Sequence, residues 1–237
     1  MDVLGDLVAR DRLDADSVLE VVGDPPRSYS YRRFATTAWK TGNFLRHLGV
    51  REGSTVAVTD DPAPEPLLTL FGAALLGAQV RFDPPAGPDC RVLVAPTPAV
   101  SRYDLPPGAR HVGYGPRPTD PTVTHFGTDV WSENPAFPET DVVAPEDAVL
   151  VTDDGRYTHA DLLAAAETVV DRHDLHAGQS VAVRASLAEP GAVVAGVVAP
   201  LLVGATILFG DGEPADLAVA TGEVPESSVV DPTTLSL

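Results

Sequence analysis

The chain carries one pattern twice. Residues Tyr29 to Phe82 and Tyr157 to Phe209 repeat the same order of residue types at an offset of 125 to 128. Gly53-Ser-Thr-Val-Ala-Val58 answers Gly178-Gln-Ser-Val-Ala-Val183, and Leu76-Gly-Ala78 answers Val203-Gly-Ala205. A period this long is no solenoid; it predicts two copies of one supersecondary unit. Each copy reads as strand, turn, strand, helix, strand, helix, strand. In the first, Val18 to Val22 and Ser28 to Ser30 bracket the turn Gly23-Asp-Pro-Pro26, a strong breaker. The helix Tyr31 to Leu48 sets Phe34, Ala38, Phe44, Leu45 and Leu48 on one side, and Gly49 stands where a C-cap is wanted. Alternating β and α elements imply parallel strands with right-handed crossovers. The expected fold is therefore α/β: two pseudo-symmetric Rossmann-like halves, doubly wound and mainly parallel, packed together. The expected boundaries are 1–98 for the first half, 99–144 for a Pro/Gly-rich connection and 145–237 for the second half.

Charge narrows the setting. Thirty-four acidic residues against sixteen basic ones give −18, and Lys40 is the one lysine. Such a chain repels itself unless counterions screen it, and screening strengthens with salt. The composition predicts the cytoplasm of an extreme halophile, with an ordinary acidic soluble protein as the alternative. No basic footprint is present, so nucleic acid is not an expected partner. The single cysteine, Cys90, leaves no internal disulfide and fits a reducing compartment. Its neighbours Asp89 and Arg91 provide no base, which predicts a structural thiol. The start, Met1-Asp-Val-Leu-Gly-Asp, has no basic region and no long apolar core, so no signal peptide is expected. Gly191 to Phe209 is uncharged and long enough to span a bilayer. Pro200 and Gly204 interrupt it, so the expectation is a buried helix to about Val203 and a strand Thr206 to Phe209, with no membrane partner.

Ser28-Tyr-Ser-Tyr-Arg-Arg-Phe34 followed by Leu48-Gly-Val-Arg-Glu-Gly-Ser-Thr-Val-Ala-Val58 resembles the start of the adenylate-forming enzymes, the AMP-dependent synthetases and acyl-CoA ligases. Leu75 to Pro84 fits the helix end and strand that follow there. Pro145 to Thr152 looks like the approach to the family's phosphate loop, and Thr158 to Leu163 like the helix after it. The resemblance covers about four-fifths of this chain but only the N-terminal portion of a full-length member.

The departures matter more. The family's phosphate loop is Ser/Thr/Gly-rich and ends Pro-Lys-Gly, with backbone N–H groups and a lysine around the ATP phosphates. Here Thr152 leads through Asp153, Asp154 and Gly155 directly to Arg156, with no lysine and two carboxylates that repel a triphosphate. An Asp-Gly pair between apolar strands signals a hairpin. Thr152, Asp153, Asp154, Gly155 and His159 are the candidate ligand-binding residues at this lost loop; an ordinary turn and a rebuilt magnesium-phosphate site both remain open. The chain ends before the adenine-binding segment, the ribose-binding aspartate and the lid with the catalytic lysine. The resemblance therefore implies a degenerate pseudoenzyme with no catalytic residue, no metal and no cofactor, acting as a binding or regulatory module beside a ligase chain. The alternative is a ligase subunit that binds acyl, CoA or Mg-ATP ligands and is completed by a partner chain. An oligomer through Gly191 to Phe209 is a third.

Other constellations carry less. His173 and His176, with Asp171 and Asp174, lack a third ligand in view. Ser186 lacks the glycine-flanked elbow of a hydrolase.

Overall fold

Short runs of valine, leucine and alanine between turns give strands, and longer amphipathic runs give helices. In the computed structural model, residues 1–9, 12, 18–22, 26–136, 143–210, 212 and 214–237 are described. The first copy contributes β1 (Leu19–Val21), β2 (Arg27–Tyr29), α1 (Tyr31–His47), β3 (Thr55–Val58), α2 (Pro64–Ala74), β4 (Gln79–Phe82) and β5 (Val92–Pro96). β6 (Arg110–Tyr114), β7 (Thr124–His125) and α3 (Phe126–Ser132) follow. The second copy gives β8 (Ala148–Val151), β9 (Arg156–Thr158), α4 (His159–His173), β10 (Ser180–Val183), α5 (Pro190–Val193), α6 (Ala199–Val203), β11 (Thr206–Phe209) and β12 (Leu217–Val219). A last short strand, β13 (Val229–Val230), closes the series. The turn read at Gly23 to Pro26 falls largely outside the described residues.

The strands form two sheets, ordered β13-β12-β10-β11-β1-β2 and β7-β6-β5-β3-β4-β8-β9. Nearly all neighbours are parallel; β1 and β2 form an antiparallel pair. The α/β class and the mainly parallel pairing expected from the sequence are what the structure has. In one sheet Val56 lies opposite Val80 and Val92; in the other Val181 lies opposite Ile207 and Leu217.

Strand partnership departs from the simple picture of two self-contained halves. β1 pairs with β11 of the second copy, and β8 pairs with β4 of the first. Each copy thus gives its leading hairpin to the other copy's sheet. Two compact units result: Met1–Ala35 with Pro62–Pro64 and Tyr157–Leu237, and Thr36–Asp61 with Glu65–Arg156. These units do not follow the boundaries 1–98, 99–144 and 145–237. Residues 99–144 are not merely a connection either, since β6 and β7 extend the seven-stranded sheet in parallel. The physical reason is that a short apolar strand such as Leu19-Glu-Val21 satisfies its backbone against any parallel edge, and its pattern does not specify which.

Local chemistry sets the helix ends. Gly49 closes α1 at φ +88°, with the Val50 N–H donating to the Leu45 carbonyl at 3.0 Å, a left-handed cap. Phe34, Ala38, Phe44 and Leu45 are buried along α1, as the spacing predicts. Thr158 caps α4: its hydroxyl oxygen accepts from the Asp161 N–H, and the Asp161 carboxylate accepts from the Thr158 N–H at 2.9 Å. Those bonds hold the Asp161 carboxyl below its ordinary range.

The uncharged stretch resolves as a buried helix and a strand. Between α5 and α6 the backbone widens into a π-helical turn, Val194–Val198. The cause is Pro200, which lacks an N–H and whose ring would clash with the carbonyl four residues earlier; one wider turn relieves both. Strand β11 then begins at Thr206, as expected. Among the described residues no helix is long and apolar enough to cross a membrane. Cys90 is buried, and burial pushes its thiol up to about 11, far from a reactive thiolate.

Candidate functional site

Strand β8 ends at Val151, and the next four residues return the chain into β9. The Thr152 N–H donates to the Gly155 carbonyl at 2.9 Å, closing a tight turn. The Thr152 hydroxyl oxygen then accepts the N–H groups of Asp154 and Gly155, each at 3.2 Å. A threonine oxygen thus takes up the two backbone donors that a phosphate-cradling loop would aim outward. The Asp153 carboxylate reaches sideways instead. Its Oδ1 accepts from Nη2 of Arg81 at 2.6 Å. Pairing of β4 with β8, Val80 opposite Leu150, puts Arg81 level with the approach to this turn.

Thr152, Asp153, Asp154 and Gly155 therefore form one bonded turn, as the Asp-Gly signal predicts. His159 does not share in it. The first residue of α4, it is fully buried, and its Nδ1 accepts the Leu4 N–H at 3.1 Å. An imidazole that accepts at Nδ1 is unprotonated there, so His159 serves as an anchor for the N-terminal 3-10 turn Leu4–Val8. His176 donates Nδ1–H to the neighbouring Ala177 carbonyl at 3.0 Å. Among the described residues no group of three or more His, Cys, Asp or Glu is placed to hold a metal.

Two further networks sit where open α/β sheets commonly bind ligands, at the carboxyl ends of strands where strand order reverses. In the seven-stranded sheet the reversal falls between β3 and β5. There Thr59 donates its N–H to the Val94 carbonyl, and its hydroxyl donates to Oδ2 of Asp61 at 2.5 Å. The Tyr114 hydroxyl donates to the same carboxylate oxygen at 2.5 Å. Burial and that bond push the Tyr114 phenol far above its ordinary range. In the six-stranded sheet the reversal falls between β10 and β12. Arg184 donates its N–H to the Val219 carbonyl and its side chain, through Nε and Nη2, to the Glu226 carboxylate. The Glu226 side chain is fully buried, and Arg184 holds its carboxyl below the usual range. Sequence reasoning missed both networks. The available signal was positional: Thr59 and Arg184 each follow the repeated Val-Ala-Val.

A cavity of about 490 Å³ opens beside β5 and β6. Thr97, Ser101, His111, Arg117, Asp120 and Val123 are among its walls. His111 donates Nε2–H to the Tyr103 carbonyl at 3.0 Å, which fixes the ring. The volume is in the range of small-molecule sites.

No protein-family model matches this chain, and no curated protein matches its sequence. Solved structures do match in fold. The anthranilate CoA ligase AuaEII, solved with anthranoyl-AMP, superposes with TM-score 0.76 at 17% identity over 92% of this chain and 49% of the ligase. A benzoate CoA ligase from Burkholderia xenovorans LB400 gives TM-score 0.75 at 15% identity over 92% of this chain and 50% of its own. The N-terminal domain of FACL13 from Mycobacterium tuberculosis gives 0.70 at 15%, over 93% and 63%. The chain therefore has the fold of the N-terminal portion of adenylate-forming CoA ligases and spans about half their length.

Proposed function

We propose that this chain is a catalytically inactive relative of the AMP-forming ligases that serves as a binding or regulatory module. The observation that carries this reading is the Thr152–Gly155 turn. The Asp154 and Gly155 N–H groups are committed to the Thr152 hydroxyl, two of its side chains are carboxylates, and no lysine is present to meet a triphosphate. The cavity beside β5 and β6 supports retained small-molecule binding without adenylation. The acidic composition supports work in a salt-rich cytoplasm. A ligase chain is the partner this reading favours.

One observation favours a second reading. The solved CoA ligases extend well beyond the part this chain matches, 49% in one case, so a partner chain could supply the remainder and complete a ligase. Adenylation activity separates the two. The purified chain, given Mg-ATP, CoA and short-chain or aromatic carboxylic acids, is expected to release no AMP or pyrophosphate above background. The same assay with a ligase chain present is expected to show that chain's own activity altered in degree. Turnover that needs both chains and survives with a catalytically dead partner would overturn the proposal.

A further inference from the structure

We propose that the Arg81 side chain is an oxyanion site held shut by the chain's own Asp153, an internal contact that excludes external phosphate-like ligands. The inference rests on the reading that Thr152–Gly155 has lost its phosphate-binding role. A guanidinium presents Nε–H and one Nη–H on a single flat edge, matched to two oxygens of one oxyanion. On Arg81 that edge is half used. Nη2 donates to Oδ1 of Asp153 at 2.6 Å, while Nε is buried and has no hydrogen-bond partner. A buried donor without an acceptor is costly, and its presence marks a site built for more than it holds.

The occupant is easily displaced by comparison with its host. The Arg81 side chain is 24% exposed, fixed on β4 within the sheet, whereas Asp153 is 85% exposed at the tip of a turn. An ion pair with one partner so exposed contributes little, so leaving it costs little. Asp153 therefore acts as a tethered competitor. A carboxylate on a short turn is present at high effective concentration, and it wins against dilute ligands without a strong bond. Removing it leaves a cation with two donors on one edge. The chemical class that fits is a small tetrahedral oxyanion with at least two free oxygens.

The test is a calorimetric titration of the full chain with inorganic phosphate at constant ionic strength. Asp153→Ala is expected to bind phosphate about fivefold more tightly than the unmodified chain, the factor that corresponds to an exposed pair of about 1 kcal/mol. Asp154→Ala removes the same charge from the same turn without touching Arg81, and is expected to change affinity less than twofold. Arg81→Gln combined with Asp153→Ala should abolish the gain. Equal gains in the two alanine variants would reduce the effect to net charge and overturn the proposal, as would a gain that persists without Arg81. An absent phosphate gain in a chain that still fails to adenylate would overturn this inference alone and leave the proposed function standing. Mg-ATP binding that Asp153→Ala weakens would overturn both.

Discussion

Glu226→Ala is expected to lower the free energy of unfolding by about 3–5 kcal/mol, because it removes one side of a buried charge pair, the carboxylate that accepts from Nε and Nη2 of Arg184. Arg184 retains only 16% exposure and directs both Nε and Nη2 at Glu226, whose side chain is fully buried. The Glu226 carboxylate also accepts the Ala215 N–H. For a chain of this length the loss corresponds to a fall in Tm of about 6–20 °C. Replacing both partners by apolar residues, as in Arg184→Met with Glu226→Leu, should recover most of the loss, since the penalty comes from removing one side of a buried pair and not the other. The pair also sets the acid limb of stability. The Glu226 carboxyl is held below its ordinary value by Arg184, so folding binds fewer protons than unfolding there. The contribution is complete above about pH 4.3 and disappears as pH falls through the lower folded value. Glu226→Gln should therefore flatten the dependence of unfolding free energy on pH below about 4.3. A denaturant titration series between pH 3 and 7 measures it; an unchanged slope would remove the pair from the account.

Gly191→Ala is expected to cost about 3 kcal/mol, at the upper end of overpacking losses. A methyl group at Gly191 would lie 2.0 Å from the Pro232 carbonyl oxygen and 2.8 Å from its carbon. These are backbone atoms, and no rotamer change moves them. The 3-10 turn Pro232–Thr234, with its Asp231 cap and buried Pro232, would have to lift away. Alanine is the better helix former by about 1 kcal/mol, which is too little to compensate. Gly196→Ala is the control. Its nearest contact is the Val183 Cγ2 at 2.8 Å, on a stiff β-branched side chain that must shift, a smaller rearrangement than lifting a backbone turn. That variant is expected to lose less than Gly191→Ala, about 1–2 kcal/mol. Equal losses at the two glycines would contradict the packing described for Pro232.

Much of the fold is legible because local rules carry it. Gly49 caps α1, Pro200 interrupts the uncharged stretch, and the Asp-Gly pair makes a turn, each from chemistry within a few residues. Strand partnership is different. β1 is three residues long, and its pattern fits the edge of either sheet; only pairing with β11 reveals the exchanged hairpins. The candidate site divides along the same line. Thr152 to Gly155 act within one turn, so the sequence shows them together. His159 finds its partner 155 residues away in Leu4, Arg81 finds Asp153 at a separation of 72, and Arg184 finds Glu226 at 42. No periodicity encodes such distances. Arginine and glutamate buried at a strand end look in sequence like two surface charges.

The proposed function turns on whether the bonded turn Thr152–Gly155 can receive a triphosphate. The most direct measurement is calorimetric titration of the full chain with Mg-ATP, followed by CoA, in molar salt. No saturable heat is expected from Mg-ATP, because the Thr152 hydroxyl holds the Asp154 and Gly155 N–H groups and two carboxylates face the solvent there. Saturable Mg-ATP binding that is lost on Asp153→Ala or Asp154→Ala would show a rebuilt magnesium-nucleotide site and contradict it.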